Sequence, residues 1–213
     1  MALKSILFDL DGTLTDSGEG IMNCVELALQ HYGIPIPPRE ELRIFVGPPL
    51  QENFLKFGIP QEEIDNAIKV FRSRYLSVGK FENFPYPGIP ELLQKLKSAG
   101  HHLYVATSKP ESTAREILDK FELSPYFDII CGATMDGTRQ SKADVIQYLY
   151  DQTSETLPTI MVGDTSYDVE GANAHHILTI GVAWGYGSVA EMVDAGAVAI
   201  AQSVDELYEL LIR

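Results

Sequence analysis

From Tyr86 onward, short apolar runs rich in β-branched residues alternate with amphipathic stretches, and this rhythm restricts the fold more than any other feature. The runs occupy residues 102–107, 128–131, 159–162, 178–182 and 197–200. Between them, Ile89, Leu92, Leu93 and Leu96 keep helical spacing, as do Ala114, Ile117, Leu118 and Phe121. Val145, Ile146 and Leu149 repeat the pattern, and Leu207, Leu210 and Leu211 close it. Strands that alternate with helices form a parallel sheet buried on both faces, so the expected class is α/β, with a Rossmann-like parallel core. The apolar run at residues 3–8 is too hydrophobic to stand alone and must join that sheet.

Residues 15–84 break the alternation. Ile21, Val25, Ala28 and Tyr32 form one helical stripe, and Ile64, Ile68, Phe71 and Tyr75 form another. Prolines at 35, 37, 38, 48 and 49 separate the helices, and no convincing strand is present. The expected organisation is a core of residues 1–14 and 85–213 with an all-helical cap, residues 15–84, inserted over the sheet edge. Its hinges are expected near residues 15–18 and 84–88. At 213 residues the chain can bury a sizeable interior. Its net charge of −14 argues against nucleic acid or an anionic membrane as the main partner, but not against a small phosphorylated substrate held by local cations. Cys24 and Cys131 lack metal-ligand spacing and read as core thiols of a reducing compartment. With no signal peptide ahead of the first strand and no apolar run of membrane-spanning length, the expected location is cytoplasmic.

The chemistry is carried by Asp9-Leu10-Asp11-Gly12-Thr13-Leu14, directly after the first strand. Two carboxylates two residues apart at a dry strand end resist ionising together, and a cation or a proton relieves the conflict. Both solutions belong to phosphoryl transfer, although Asp-Gly-Thr is also ordinary turn chemistry. In an open α/β sheet, ligands bind beyond the carboxyl ends of the strands. The polar residues at those ends include Thr107, Ser108 and Lys109, then Asp164 and Asp168, while Lys142 opens the preceding helix. Singly, each has a structural reading as a cap or a solvated charge; their shared position favours a site.

These four segments, in this order, resemble the motifs of the haloacid dehalogenase superfamily, in the branch with a helical cap inserted after the first motif. Residues 9–13 match the first motif, Thr107-Ser108 the second, Lys142 the third and residues 163–168 the fourth. The resemblance implies a Mg²⁺-dependent phosphatase in which Asp9 is the nucleophile and Asp11 the general acid and base. It places Mg²⁺ on Asp9, the backbone carbonyl of Asp11, and Asp164. Lys142 becomes the cation beside the nucleophile, Thr107 and Ser108 bind phosphoryl oxygens, and Asp168 orients Lys142 or metal-bound water. Haloalkanoate dehalogenases lack an aspartate at the position of Asp11, so its presence points to phosphoryl transfer. Relatives that cleave phosphonates use a cap lysine; here Lys56, Lys69 and Lys80 read as solvated helix-surface charges.

Two features depart from the family pattern. His176 stands where relatives usually have glycine, and Lys142 is followed by Ala143 rather than proline. His175 and His176 are adjacent and point in different directions. The stretch 43–50 looks like a binding loop, with Arg43 as an anion partner and Gly47 permitting close backbone approach, although a helix connector fits equally well. This loop and residues 182–187 resemble phosphoglycolate phosphatases and 5′-nucleotidase-like members, with Trp184 and Tyr186 packing the latter. The expected partner is a small phosphorylated metabolite. The alternatives are a β-phosphoglucomutase-like phosphomutase and, more distantly, a receiver-like signalling module.

Overall fold

A computed structural model describes residues 5–153 and 160–212. In chain order the first elements are β1 (Ser5–Phe8), β2 (Thr15–Asp16), α1 (Gly18–His31), α2 (Leu50–Lys56), α3 (Ile64–Tyr75) and β3 (Phe84–Pro85). Then follow α4 (Ile89–Ser98), β4 (His102–Pro110), α5 (Glu111–Lys120), β5 (Ile129–Ala133), α6 (Lys142–Gln152) and β6 (Ile160–Gly163). The last elements are α7 (Ser166–Asn173), β7 (Leu178–Val182), α8 (Val189–Ala195), β8 (Ala199–Ala201) and α9 (Val204–Ile212). Residues 3 and 4 of the first expected strand, and residue 159 of a later one, lie outside the described residues.

Six strands form one parallel sheet in the order β5-β4-β1-β6-β7-β8. Strand alternation explains its two covered faces. Ile6 and Phe8 of β1 join Leu103 and Val105 of β4 in a cluster sealed by α4, α5 and α9. Leu7 joins Tyr104, Ala106 and Met161 in a second cluster, sealed by α6 and α7. The chain runs from β1 outward to β5, then returns across β1 to β6. The central strand is therefore the topological switch point, and Asp9 and Asp11 follow it directly.

The helices between β1 and β3 bury Val25, Leu29, Phe45, Phe54, Ile64 and Phe71 against one another, in a cluster distinct from both faces of the sheet. Each such side chain contributes about 1.5–3 kcal/mol when fully buried. Sequence patterning saw only hinges at the two ends of this segment. The structure pairs them as an antiparallel ribbon, Thr15 opposite Pro85 and Asp16 opposite Phe84, too short to show an alternation. Short α8, with Met192 as its buried anchor, also escaped the periodicity. Strand β4 runs past Thr107 to Pro110 through a register shift against β5, which brings Ser108 and Lys109 to the sheet's upper edge. No described helix is long and apolar enough to cross a membrane.

Candidate active site

The loop after β1 is fixed by its own backbone. Asp9 N–H donates to the Val162 carbonyl at 2.9 Å, extending the sheet by one residue. Leu14 and Thr15 N–H groups both return to the Leu10 carbonyl, at 2.9 and 3.0 Å. Gly12 closes the turn at φ +80°, and a Cβ there would lie 2.1 Å from Asp164 Oδ2. Both the angle and the space demand glycine.

Two buried lysines neutralise the carboxylates from opposite sides. Lys142 Nζ lies 2.8 Å from Asp9 Oδ1 and 2.8 Å from Asp168 Oδ1, and donates to the Ala106 carbonyl at 2.8 Å. Ser141 caps α6 through a reciprocal box with Asp144, which sets the helix start that aims Lys142 inward. Burial acts to lower the Lys142 pKa, but the Asp168 and Asp9 carboxylates prevail and hold it above the usual lysine range. Lys109 Nζ lies 2.7 Å from Asp11 Oδ2 and also donates to the Tyr75 hydroxyl at the end of α3. It too is held high by Asp11 and Tyr75 against its burial.

Asp164 completes the floor. Its carboxylate accepts from Thr13 Oγ1 at 3.2 Å and from Tyr186 N–H at 2.8 Å. Close packing of Gly185, whose Cβ would lie 2.3 Å from the Asp164 side chain, permits that contact. Asp168 Oδ2 accepts from both N–H and Oγ1 of Thr165, at 3.0 and 2.9 Å, leaving Oδ1 for Lys142. Oxygens of Asp9, Asp164 and Asp168 all lie within 4.8 Å of one another. Burial, offset by Lys142 but reinforced by Asp168 and Asp11, pushes Asp9 up to about 6. Burial and then the charges of Asp168 and Asp9 hold Asp164 well above the carboxylate range. Three buried carboxylates around one ammonium leave uncompensated negative charge. An all-oxygen donor set of this kind fits a hard divalent cation such as Mg²⁺.

A cavity of about 180 Å³ adjoins this floor and meets it at Asp11 and Lys109. Asp11, Ser108 and Lys109 line its lower end; Gly47, Phe71 and Tyr75 line its upper side. A polar, charged floor at the switch point beneath an apolar roof is a site for a small anionic ester.

The model of the haloacid dehalogenase-like hydrolases matches residues 6–182, which include every charged group of the floor. The chain belongs to that family. It is 43% identical over 211 residues to tyrosine-protein kinase PtkA of Mycobacterium tuberculosis, covering 97% of this chain and 72% of that one. It is 43% identical over 192 residues to a 5′-nucleotidase of Pseudomonas aeruginosa, covering 88% and 86%. A phosphoglycolate phosphatase of Aquifex aeolicus is 35% identical over 188 residues, covering 86% of each. The crystal structure of a predicted phosphatase from Clostridium acetobutylicum superposes with a TM-score of 0.94 at 42% identity, over 100% of this chain and 99% of that one. Within the haloacid dehalogenase-like hydrolases, the chain is a phosphatase.

The fold places the other residues singled out in the sequence as follows. Thr107 is buried, and its Oγ1 accepts from the Lys109 N–H at 3.2 Å. Gly47 takes φ +100° and faces Thr165, so the 43–50 loop overhangs the fourth motif. Arg43 does not line the cavity. Its exposed guanidinium rests 4.5 Å from the Tyr186 ring centroid and donates to the Gly185 carbonyl at 3.3 Å. Lys80 is no surface charge: it is buried and paired with Glu116 of α5. His176 adopts φ +58° at the end of α7, the left-handed geometry glycine ordinarily takes, and its ring is exposed. His175 hydrogen-bonds the Ala143 carbonyl at 2.9 Å. Trp184 donates to the Thr13 carbonyl at 3.2 Å, and Tyr186 bonds Asp16 and packs against the helical cluster. Both cysteines are free and buried. Lys109 was read only as one of the polar strand ends; its pairing with Asp11 and Tyr75 is what sequence reasoning missed. The only local signal was a lysine directly after Thr107-Ser108, and nothing nearby in sequence names its partners.

Proposed function

We propose that this phosphatase hydrolyses a small cytoplasmic phosphomonoester through an aspartyl-phosphate on Asp9, with Mg²⁺ as cofactor. The observation that carries the reading is the convergence of Asp9, Asp164 and Asp168 beyond the strand ends, with one buried lysine against Asp9 and Asp168 and another against Asp11 on the same loop as Asp9. Asp9, the Asp11 carbonyl and Asp164 would hold Mg²⁺, whose charge masks the phosphoryl oxygens when bound. An Asp9 oxygen attacks phosphorus as the ester oxygen leaves, and Asp11 gives that oxygen its proton. Asp11 then takes a proton from the water that attacks the phosphoaspartate, and inorganic phosphate departs. Lys142, fixed between Asp9 and Asp168, offsets charge at the nucleophile; Thr107 and Ser108 donate to phosphoryl oxygens. Residues 15–84 act as a cap that closes over the ester and excludes bulk water, moving about the β2–β3 ribbon.

The test is acid quenching during turnover of a ³²P-labelled ester, followed by peptide mapping. Label on the peptide containing Asp9, chased into free phosphate, supports the reading. Label that never resides on protein overturns the covalent path. A chase into a second hydroxyl of the substrate instead of phosphate identifies the mutase alternative.

A further inference from the structure

One face of α3 roofs the cavity. Ile68, Phe71, Arg72, Tyr75 and Leu76 follow helical i, i+3, i+4 spacing and all line it. Phe71 and Tyr75 stack on each other with ring centroids 5.2 Å apart and planes 21° apart, which puts two aromatic rings at the cavity wall. Pro48 and Met135 bring apolar surface from two loops. Arg72 is the exception on this face. It is half-buried, and among the described residues it has neither an ion-pair partner nor a side-chain hydrogen bond.

From these features we infer that the substrate's leaving group is one ring in size, presents an apolar face to Phe71 and Tyr75, and carries a carboxylate or similar anion toward Arg72. This rests on the hydrolase reading, since Asp11 at the cavity's lower end marks where the ester oxygen leaves. Volume argues for one ring: about 180 Å³ is close to the roughly 150 Å³ cavity that admits benzene. A two-carbon leaving group leaves most of that space and the apolar roof wet. A polyol or sugar sets hydroxyls against the side chains of Ile68, Phe71 and Leu76, which offer neither donor nor acceptor. A nucleoside, with base and ribose, would have to extend out of the cavity's open side, past the exposed Leu76 and Met135. An unpaired arginine on an otherwise apolar wall supplies the cation that an acidic substituent needs.

The test uses alkyl esters, so that leaving-group acidity does not decide the outcome. Phosphate release by the full chain with Mg²⁺ is measured on carboxybenzyl phosphate, benzyl phosphate, phosphoglycolate, glycerol 3-phosphate and adenosine monophosphate. The expected order of kcat/KM is carboxybenzyl, then benzyl, then the other three lower by on the order of tenfold or more. Arg72→Met, a half-exposed change that spares the core, moves the carboxybenzyl-to-benzyl ratio toward one. Phe71→Ala raises KM for both benzyl esters more than it lowers kcat. Preference for phosphoglycolate, glycerol phosphate or adenosine monophosphate over benzyl phosphate overturns the inference while leaving the hydrolase reading intact. So does an unchanged ratio in Arg72→Met. Release from none of the five esters overturns both.

Discussion

At the carboxyl ends of β1, β4 and β6, buried charges of opposite sign alternate: Asp11 with Lys109, then Asp168 with Lys142 and Asp9. A few ångströms above, the roof under α3 is made of Ile68, Phe71, Tyr75 and Leu76, with one unpaired arginine. The floor is specified by electrostatics, because each buried charge is costly without its partner and so each side chain has one acceptable position. Apolar packing specifies the roof, and it tolerates substitution so long as volume is kept. Chemistry is therefore held where change is most destructive, and discrimination between substrates is placed where change is least so.

The largest effect expected is on the floor. Asp9→Asn keeps the fold by circular dichroism but lowers phosphate release by on the order of 10⁴-fold or more, because an amide does not attack phosphorus. Retention of more than about a hundredth of activity removes Asp9 as nucleophile and with it the chemical half of the contrast. Lys142→Met tests the electrostatic half. It leaves Asp9 and Asp168 buried without their shared cation, with an expected loss of about 3–5 kcal/mol in urea unfolding. If a conservative change at a buried roof residue, such as Ile68→Val, costs as much, the distinction between the two regions fails.

Metal removal follows in size. Chelation with EDTA is expected to silence the enzyme and added Mg²⁺ to restore it, while Asp164→Ala raises the Mg²⁺ needed by roughly ten- to a hundredfold or more. Full activity in exhaustive chelator contradicts the donor set of Asp9, Asp11 and Asp164. Arg43→Ala sharpens the border between roof and loop. Since Arg43 stacks on Tyr186 outside the cavity, its loss should slow carboxybenzyl and nitrophenyl phosphates by the same factor and cost about 0.5–1 kcal/mol of stability. A selective effect on the carboxylate-bearing ester restores Arg43 as an anion partner.

The smallest effect lies wholly within the helical segment. Arg74 grips Glu82 at 2.6 and 2.7 Å, and these bonds hold Glu82 below its ordinary 4.5. A carboxyl depressed in the folded state stabilises fully above its unfolded pKa, and the contribution fades as pH falls through the lower folded value. Stability should therefore decline below about pH 4.5, by about 0.5–1 kcal/mol, for this half-exposed pair. Glu82→Gln should remove that part of the acid slope in urea titrations at successive pH.

Much of the floor was legible because its parts are local. Asp9 and Asp11 lie on one short loop, and Thr107 and Asp164 end strands whose apolar runs announce themselves. The β2–β3 ribbon was not legible, since two residues per strand cannot display a period. Lys80 was misjudged, and the setting of Arg43 left open, for a different reason: a charged side chain in solvent and one against a packed neighbour look alike in sequence. Their surroundings, Glu116 of α5 and the Tyr186 ring, come from distant parts of the chain.

By itself the sequence determined the parallel α/β core, the helical segment between its first two sheet strands, and the acidic loop at the switch point. Those follow from periodicities of two and 3.6 residues and from the steric freedom of glycine, which are properties of neighbours in the chain. Only the tertiary structure decided that Lys109 meets Asp11 and Tyr75, that Lys142 bridges Asp9 to Asp168, and that Arg72 faces the cavity while Arg43 does not. Such pairings depend on strand order and on the seating of α3 above β4. Burial then turns ordinary charged residues into fixed partners, and no local pattern encodes which residues will share a low-dielectric interior.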